Sequence, residues 1–251
     1  MIRKAFITAL AVALCMPVMA ARKQNAKKSQ FPVAVTELKT ERMVNPMSID
    51  TSTPRLGWII TSDENDLMQT ACHIIVASTP EKAEKLEGDL WDATLLGDRS
   101  QWVRYEGKEL RSNTPCYWRV KVTTNKGESD WSNTAMWNVG LLNEADWSGQ
   151  WIGLEKAMPW DVEDVHSRLS SRYLRTEFSL DKPVKRATLY ISGLGMYEAY
   201  INGKKVGDQV LAPAPTDYRK TVLYNAFDVT QMLTEKNAIG VTLGKDSFET
   251  A

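Results

Sequence analysis

The sequence predicts an all-β protein in which two antiparallel sandwiches follow one another, and three observations carry that prediction. Apolar residues recur at every second position in short runs, as half-buried strands require. Gly, Pro, Asn and Asp turn signals bound those runs. No long amphipathic helical repeat interrupts them. The chain has 251 residues, 43% hydrophobic and 25% charged, a globular composition with room for one large or two modest domains.

Residues 1–20 read as an export signal. Arg3 and Lys4 supply the positive start, Ala5 to Met16 the apolar stretch, and Val18-Met19-Ala20 a small-residue cleavage site before Ala21. The expected location is periplasmic or extracellular. Cys15 suggests lipid anchoring, but bulky Leu14 stands where a small residue is wanted, so secretion with cleavage is the reading adopted. The apolar stretch is too short to span a bilayer, and no integral membrane span is expected in the mature chain. Residues 21–32, with Arg22-Lys23 and Lys27-Lys28, read as a solvated linker. A formal net charge of +0 argues against nucleic acid as a partner, since polyanions demand a basic face.

Residues 33–142 hold the first sandwich. Leu56, Trp58 and Ile60 alternate with Gly57 and Ile59, and Cys72, Ile74 and Val76 alternate with His73 and Ile75. Cys116, Trp118, Val120 and Val122 form a third apolar row, Asn125-Lys126-Gly127 a turn, and Ala135 to Gly140 a closing strand. Pro80 to Leu86 allows a single helical turn. Seven or so short strands with buried tryptophans suggest a fibronectin type III-like or immunoglobulin-like fold, with Trp58 facing Trp118 across the core. Cys72 and Cys116 then begin antiparallel neighbours and lie at opposite ends of the sheet, about six residues or on the order of 20 Å apart. A disulfide needs Cα atoms within roughly 7 Å, so two buried free thiols are expected.

Residues 143–171 form a connector broken by Pro159. Glu155, Trp160, Asp161, Glu163, Asp164 and His166 make it acidic and aromatic, but their spacing follows no metal-ligand template, and it reads as a solvated loop. Residues 172–251 hold the second sandwich. Leu174, Thr176, Phe178 and Leu180 give its first strand. Leu189 and Ile191, then Tyr197, Ala199 and Ile201, form two strands read as an antiparallel nucleus, with Gly193 and Gly195 at the bend between them. Asn202-Gly203 suits the two positive φ angles of a type I′ hairpin turn. Ala212 to Thr216, with two prolines, must be a loop; Asp228 to Leu233 a capped helical turn; and Ile239, Val241 and Leu243 the last strand.

The 31 acidic residues nominate no catalytic pair, and no Gly-x-Ser-x-Gly elbow, phosphate loop or zinc spacing occurs. His73 and His166 read as structural or exposed, and Gly193-Leu194-Gly195 as a strand bend, because no helix follows it. No catalytic residue, metal or cofactor is assigned. Sugar binding is the chemistry left, through an aromatic face on a pyranose and a carboxylate on its hydroxyls. Tyr218 beside Asp217 is the best such pair and Trp160 a weaker one; the plainer role for Tyr218 is to anchor its loop to the sandwich.

Several motifs also carry a resemblance. Tyr190-Ile-Ser-Gly-Leu-Gly195, Tyr200-Ile-Asn-Gly-Lys-Lys-Val-Gly207, Thr216-Asp-Tyr218 and Tyr224 through Thr230 resemble the N-terminal domain of bacterial α-L-rhamnosidases of glycoside hydrolase family 78. Thr53-Pro-Arg-Leu56, Asp89-Leu-Trp-Asp92, Tyr117-Trp-Arg-Val120 and Asp130-Trp-Ser132 resemble the family's leading fibronectin-like module, and Trp151-Ile-Gly153 its hinge. The resemblance runs from about Glu41 to Gly244. It implies a jelly-roll-like second sandwich ahead of a helical catalytic barrel that carries the acids, and rhamnose-containing glycans or glycosides as partners. About five strands are visible here against the eight of a jelly roll, so the second sandwich is expected to be incomplete, with apolar faces uncovered at Leu189, Ile191, Ile239 and Val241. Related sequences often have Gly-Trp where this chain has Ala214-Pro215, and continue Asn-Gly-Trp-Tyr after Gly244 where it has Lys245-Asp-Ser-Phe. The expectation is a non-catalytic N-terminal portion, shortened by a frameshift, early stop or split gene, with a catalytic domain encoded downstream. The alternatives are a stand-alone carbohydrate-binding module and an extracellular interaction module.

Overall fold

A computed structural model of the chain describes residues 33–154, 158–161 and 170–244. The expected signal and linker, the tail after Gly244, and Glu155, Glu163, Asp164 and His166 lie outside the described residues.

In the first sandwich the alternating runs become β1 (Val33–Thr40), β2 (Arg55–Ser62), β3 (Gln69–Ala77), β4 (Trp91–Leu96), β5 (Val103–Arg104), β6 (Pro115–Thr124), β7 (Gly127–Glu128) and β8 (Ala135–Asn138). One sheet runs β1-β2-β5, and the other β4-β3-β6-β7 with β8 also paired to β6. β6 shows the logic most clearly, with Cys116, Trp118, Val120 and Val122 buried and the residues between them half-exposed. Trp58 of β2 meets Trp118 of β6 across the core at 6.5 Å between ring centroids, as the alternation predicts. The helical turn α1 (Pro80–Glu84) begins with proline and is capped by Thr79, whose hydroxyl accepts the Lys82 N–H at 3.3 Å.

The thiol expectation holds. Cys72 lies opposite Val122 in the β3–β6 ladder while Cys116 sits at the far end of β6, and both are free and buried. Burial pushes their pKa values up to about 11 and about 12, which leaves them protonated and unreactive near neutral pH.

The second sandwich contains β9 (Arg172–Ser179), β10 (Thr188–Ser192), β11 (Tyr197–Ile201), β12 (Lys204–Lys205), β13 (Tyr224–Asp228) and β14 (Lys236–Leu243). These make a two-stranded sheet, β10-β13, and a four-stranded sheet, β12-β11-β14-β9. The predicted nucleus is corrected here. β10 and β11 do not pair: β10 joins β13 and β11 joins β14, each antiparallel. Gly193 to Met196, with Gly195 at φ +105°, form a corner that carries the chain from one sheet to the other. Asn202 (φ 50°) and Gly203 (φ 77°) close the β11–β12 hairpin with both angles positive, as expected.

Two further expectations fail. Leu189, Ile191, Ile239 and Val241 are not uncovered; all four are half-buried against Tyr197, Ala199, Ile201, Val206 and Val229. The inward row predicted for β9 is only partly inward. Leu174 is half-buried, but Thr176 and Phe178 stay exposed, because β9 is the edge strand and overhangs the core.

The two sandwiches pack as one compact unit through a polar and aromatic joint. Arg186 Nη1 donates to Asn138 Oδ1 at 2.8 Å, and its Nη2 donates to Asn113 O at 2.7 Å and Asn113 Oδ1 at 3.0 Å. Asn138 Nδ2 donates to the Tyr190 hydroxyl at 3.2 Å, which in turn donates to Asn113 Oδ1 at 3.1 Å. The Tyr224 hydroxyl accepts the Leu141 N–H at 3.0 Å and lies 3.0 Å from Ser48 Oγ. Its ring contacts Tyr190 at 5.9 Å and Trp147 at 5.7 Å between centroids. Gly140 sits inside this joint, where a Cβ would lie 2.4 Å from Ser48 Oγ and 2.5 Å from Tyr224 Oη.

Candidate functional site

Asp217 and Tyr218 open a tight turn after the proline loop. The Asp217 carbonyl accepts the N–H groups of Lys220 and Thr221 at 2.8 and 2.9 Å, so the turn is closed by its own backbone. The Asp217 carboxylate is engaged locally, accepting from the Arg219 N–H and Nε at 3.2 Å each, with Lys220 Nζ at 3.5 Å. Tyr218 is half-buried, and its hydroxyl accepts the Gly195 N–H at 2.9 Å. That bond ties the turn to the sheet-crossing corner, which is the anchoring role the sequence allowed for.

Trp160 occupies a different setting. Its indole N–H donates to Ser170 Oγ at 2.9 Å while its ring stays 70% exposed. Behind it lies a shielded ion pair: Arg172 Nη2 donates to Asp161 Oδ2 at 2.8 Å, and the two side chains are 9% and 3% exposed. Asp161 also accepts the Met158 and Ser170 N–H groups at 2.7 Å each, and Arg172 donates to the Leu154 and Ser170 carbonyls. The Arg172 guanidinium, with these N–H donors, holds the Asp161 carboxyl far below its ordinary pKa. So the connector is not the uniformly solvated loop expected. The Arg172, Met158 and Ser170 donors on the two Asp161 carboxylate oxygens staple it to the start of β9 and set Trp160 on a fixed base.

The structure thus joins Asp217 to Tyr218 and fastens Trp160 to Ser170 in the connector. Sequence reasoning missed Arg172 and Ser170. One signal was present: Arg172 shares the parity of Leu174, and an arginine on an inward row demands a buried partner. Among the described residues, no group of three or more His, Cys, Asp or Glu side chains is placed to hold a metal ion.

Two antiparallel sandwiches, the first immunoglobulin-like and both locked by a shared joint, make this a tandem β-sandwich protein. Residues 35–143 match the family described as Rha78A-like, N-terminal immunoglobulin domain, and residues 182–251 match the alpha-L-rhamnosidase N-terminal domain. An alpha-L-rhamnosidase of Formosa agariphila is 36% identical over 225 residues, which are 81% of this chain and 23% of that protein. One from Alteromonas sp. is 34% identical over 214 residues, 83% of this chain and 23% of its own length. The solved alpha-L-rhamnosidase from Dictyoglumus thermophilum superposes with a TM-score of 0.77 at 35% identity, over 88% of this chain and 26% of that one. The chain matches, in order, the N-terminal domains of α-L-rhamnosidases, and it spans about a quarter of the length of these relatives.

Proposed function

We propose that this chain is the non-catalytic N-terminal portion of an exported α-L-rhamnosidase-like glycoside hydrolase, and that it positions rhamnose-containing glycans for a catalytic domain or packs against that domain. The observation that carries the reading is the match of both sandwiches, in order, to N-terminal domains of α-L-rhamnosidases. In such an enzyme two carboxyl groups flanking the glycosidic bond perform the hydrolysis. The role left to the sandwiches is to hold a sugar chain or a neighbouring domain in a fixed place.

Trp160 is the glycan contact this reading favours, because its exposed ring stands on the Ser170–Arg172–Asp161 staple and loses little freedom on binding. Asp217 and Tyr218, on a separate turn, are the second candidate contact, with Tyr218 already committed to Gly195. The purified chain should not hydrolyse an aryl α-L-rhamnoside above the uncatalysed rate. It should be retarded in gels containing a rhamnose-rich polysaccharide, with Trp160→Ala weakening the retardation about 3–10-fold. Turnover by the chain alone would refute the non-catalytic role, and retardation indifferent to Trp160→Ala would refute the glycan contact.

A further inference from the structure

The first sandwich carries a polar cleft of about 250 Å³ lined by Glu41, Asp50, Thr51, Thr53, Arg55 and Arg104. Arg55 and Arg104 are cross-strand partners on β2 and β5, so their side chains leave the sheet on the same, solvent-facing side. One wall is built in advance. Arg55 Nε donates to Glu41 Oε1 and Oε2 at 3.1 and 3.0 Å, and the Arg55 N–H donates to Glu41 Oε1 at 2.7 Å. Arg55 also lies 4.4 Å from the centre of the Trp102 ring, which Arg42 approaches at 4.3 Å. Trp102 holds this position at φ +60°, a conformation bulky residues rarely adopt and one that surrounding contacts must enforce.

The other wall is unspent. Among the described residues, the Arg104 guanidinium and the Asp50 carboxylate make no hydrogen bond or ion pair to protein. The cleft therefore offers a forked donor, an acceptor-only carboxylate and two hydroxyls around a space smaller than a drug-sized pocket. Formal charges cancel across the lining, two arginines against two carboxylates, which disfavours a simple anion or cation.

We propose that this cleft is a second sugar subsite, separate from Trp160, that takes one neutral pyranose residue of a glycan through adjacent hydroxyls. Each hydroxyl of a vicinal diol both donates and accepts. The Arg104 fork donates to two neighbouring hydroxyl oxygens, and Asp50, with Thr51 and Thr53, accepts their protons. Trp102 is a positioning residue: it fixes Arg55 and so the cleft wall, and it does not stack on the sugar. That the ligand is a sugar rests on the glycan-handling role proposed above; the donor and acceptor geometry stands on its own.

The test is ¹H–¹⁵N NMR of the chain titrated with methyl α-L-rhamnopyranoside, following the Trp102 indole and the Arg55 and Arg104 Nε–H signals. Saturable shifts with a dissociation constant of about millimolar size are expected for so small a ligand. Arg104→Gln and Asp50→Asn should each weaken them roughly tenfold. Both side chains are exposed, so an unchanged melting temperature confirms that each variant is folded. Shifts confined to Trp160, or unchanged in both variants, would overturn the second subsite and leave the proposed function standing. No shift anywhere up to tens of millimolar would overturn the subsite, whereas the gel retardation and its dependence on Trp160 judge the broader role separately.

Discussion

Arg186→Met tests whether the joint makes the two sandwiches cooperate. Methionine keeps the unbranched apolar stem and removes every donor. Asn138 is fully buried, and its Oδ1 loses the Arg186 Nη1 bond. An acceptor stranded in this way costs about 1–3 kcal/mol, and a hydrogen bond to a charged group contributes about 1.5–3 kcal/mol. Asn113 is exposed, so water replaces much of what its two bonds from Arg186 supplied. The expected loss is therefore about 2–4 kcal/mol, not the sum of three bonds. The assay exploits the sequence: all nine tryptophans lie at or before Trp160. Six of them lie within residues 33–142, so tryptophan fluorescence mainly follows the first sandwich, and far-ultraviolet circular dichroism follows both. In the wild type the two urea curves should coincide. In Arg186→Met the dichroism curve should move ahead of fluorescence by about 1–2 M urea, given typical denaturant slopes. Curves that still coincide, with a midpoint moved by less than about 0.2 M, would refute the coupling.

Two other perturbations follow from the first sandwich. Trp118→Ala should cost about 3–5 kcal/mol and unfold that sandwich near body temperature. Trp118→Phe should cost less, because the Trp118 indole N–H is buried with no hydrogen-bond partner among the described residues; for Trp118→Ala, urea melts differing by only a few tenths of a kcal/mol from wild type would contradict the packing at Trp58. Partial burial pushes the Asp89 carboxyl up, but Lys82 Nζ at 2.6 Å and the Ser78 N–H and hydroxyl outweigh it and hold the pKa at about 2. A folded pKa below the ordinary 3.8 means the contribution is present above about pH 4 and lost as pH falls toward 2. Asp89→Asn should flatten that acid limb of the stability curve, and an unchanged limb would show that Asp89 is not a source of it.

Local pattern carried much of this structure, and its failures share a cause. The β2, β3 and β6 rows were legible because a period of two states which side chains point inward, and inward tryptophans had only each other to meet. The same period is silent about which strand lies alongside, so the β10–β11 pairing could be assumed and was wrong. Thr176 and Phe178 obey the alternation of β9 and remain exposed, since burial needs a neighbour beyond the edge. Tyr190 alternates with Leu189 and Ile191, yet nothing in the alternation says that its face meets Asn113 and Asn138 of another domain. For the candidate site, Tyr218 was visible as an aromatic beside an acid. Its bond to Gly195 depends on a corner whose path only the three-dimensional structure supplies.

Gly140 has a consequence for how the protein tolerates change. With Ser48 and Tyr224 pressed against its missing side chain, Gly140 adds a hard backbone contact to the hydrogen bonds and ring contacts that hold the sandwiches at their angle. The covalent tether between Leu154 and Met158 is then not needed to orient them, and its length becomes a free variable. Several Gly-Ser residues inserted between Leu154 and Met158 should leave the scattering profile of the folded pair unchanged apart from the added mass. An altered profile would mean that the tether, and not the contact, sets the angle. A region built this way can gain or lose connector residues across relatives while presenting the same composite surface to whatever lies beyond it.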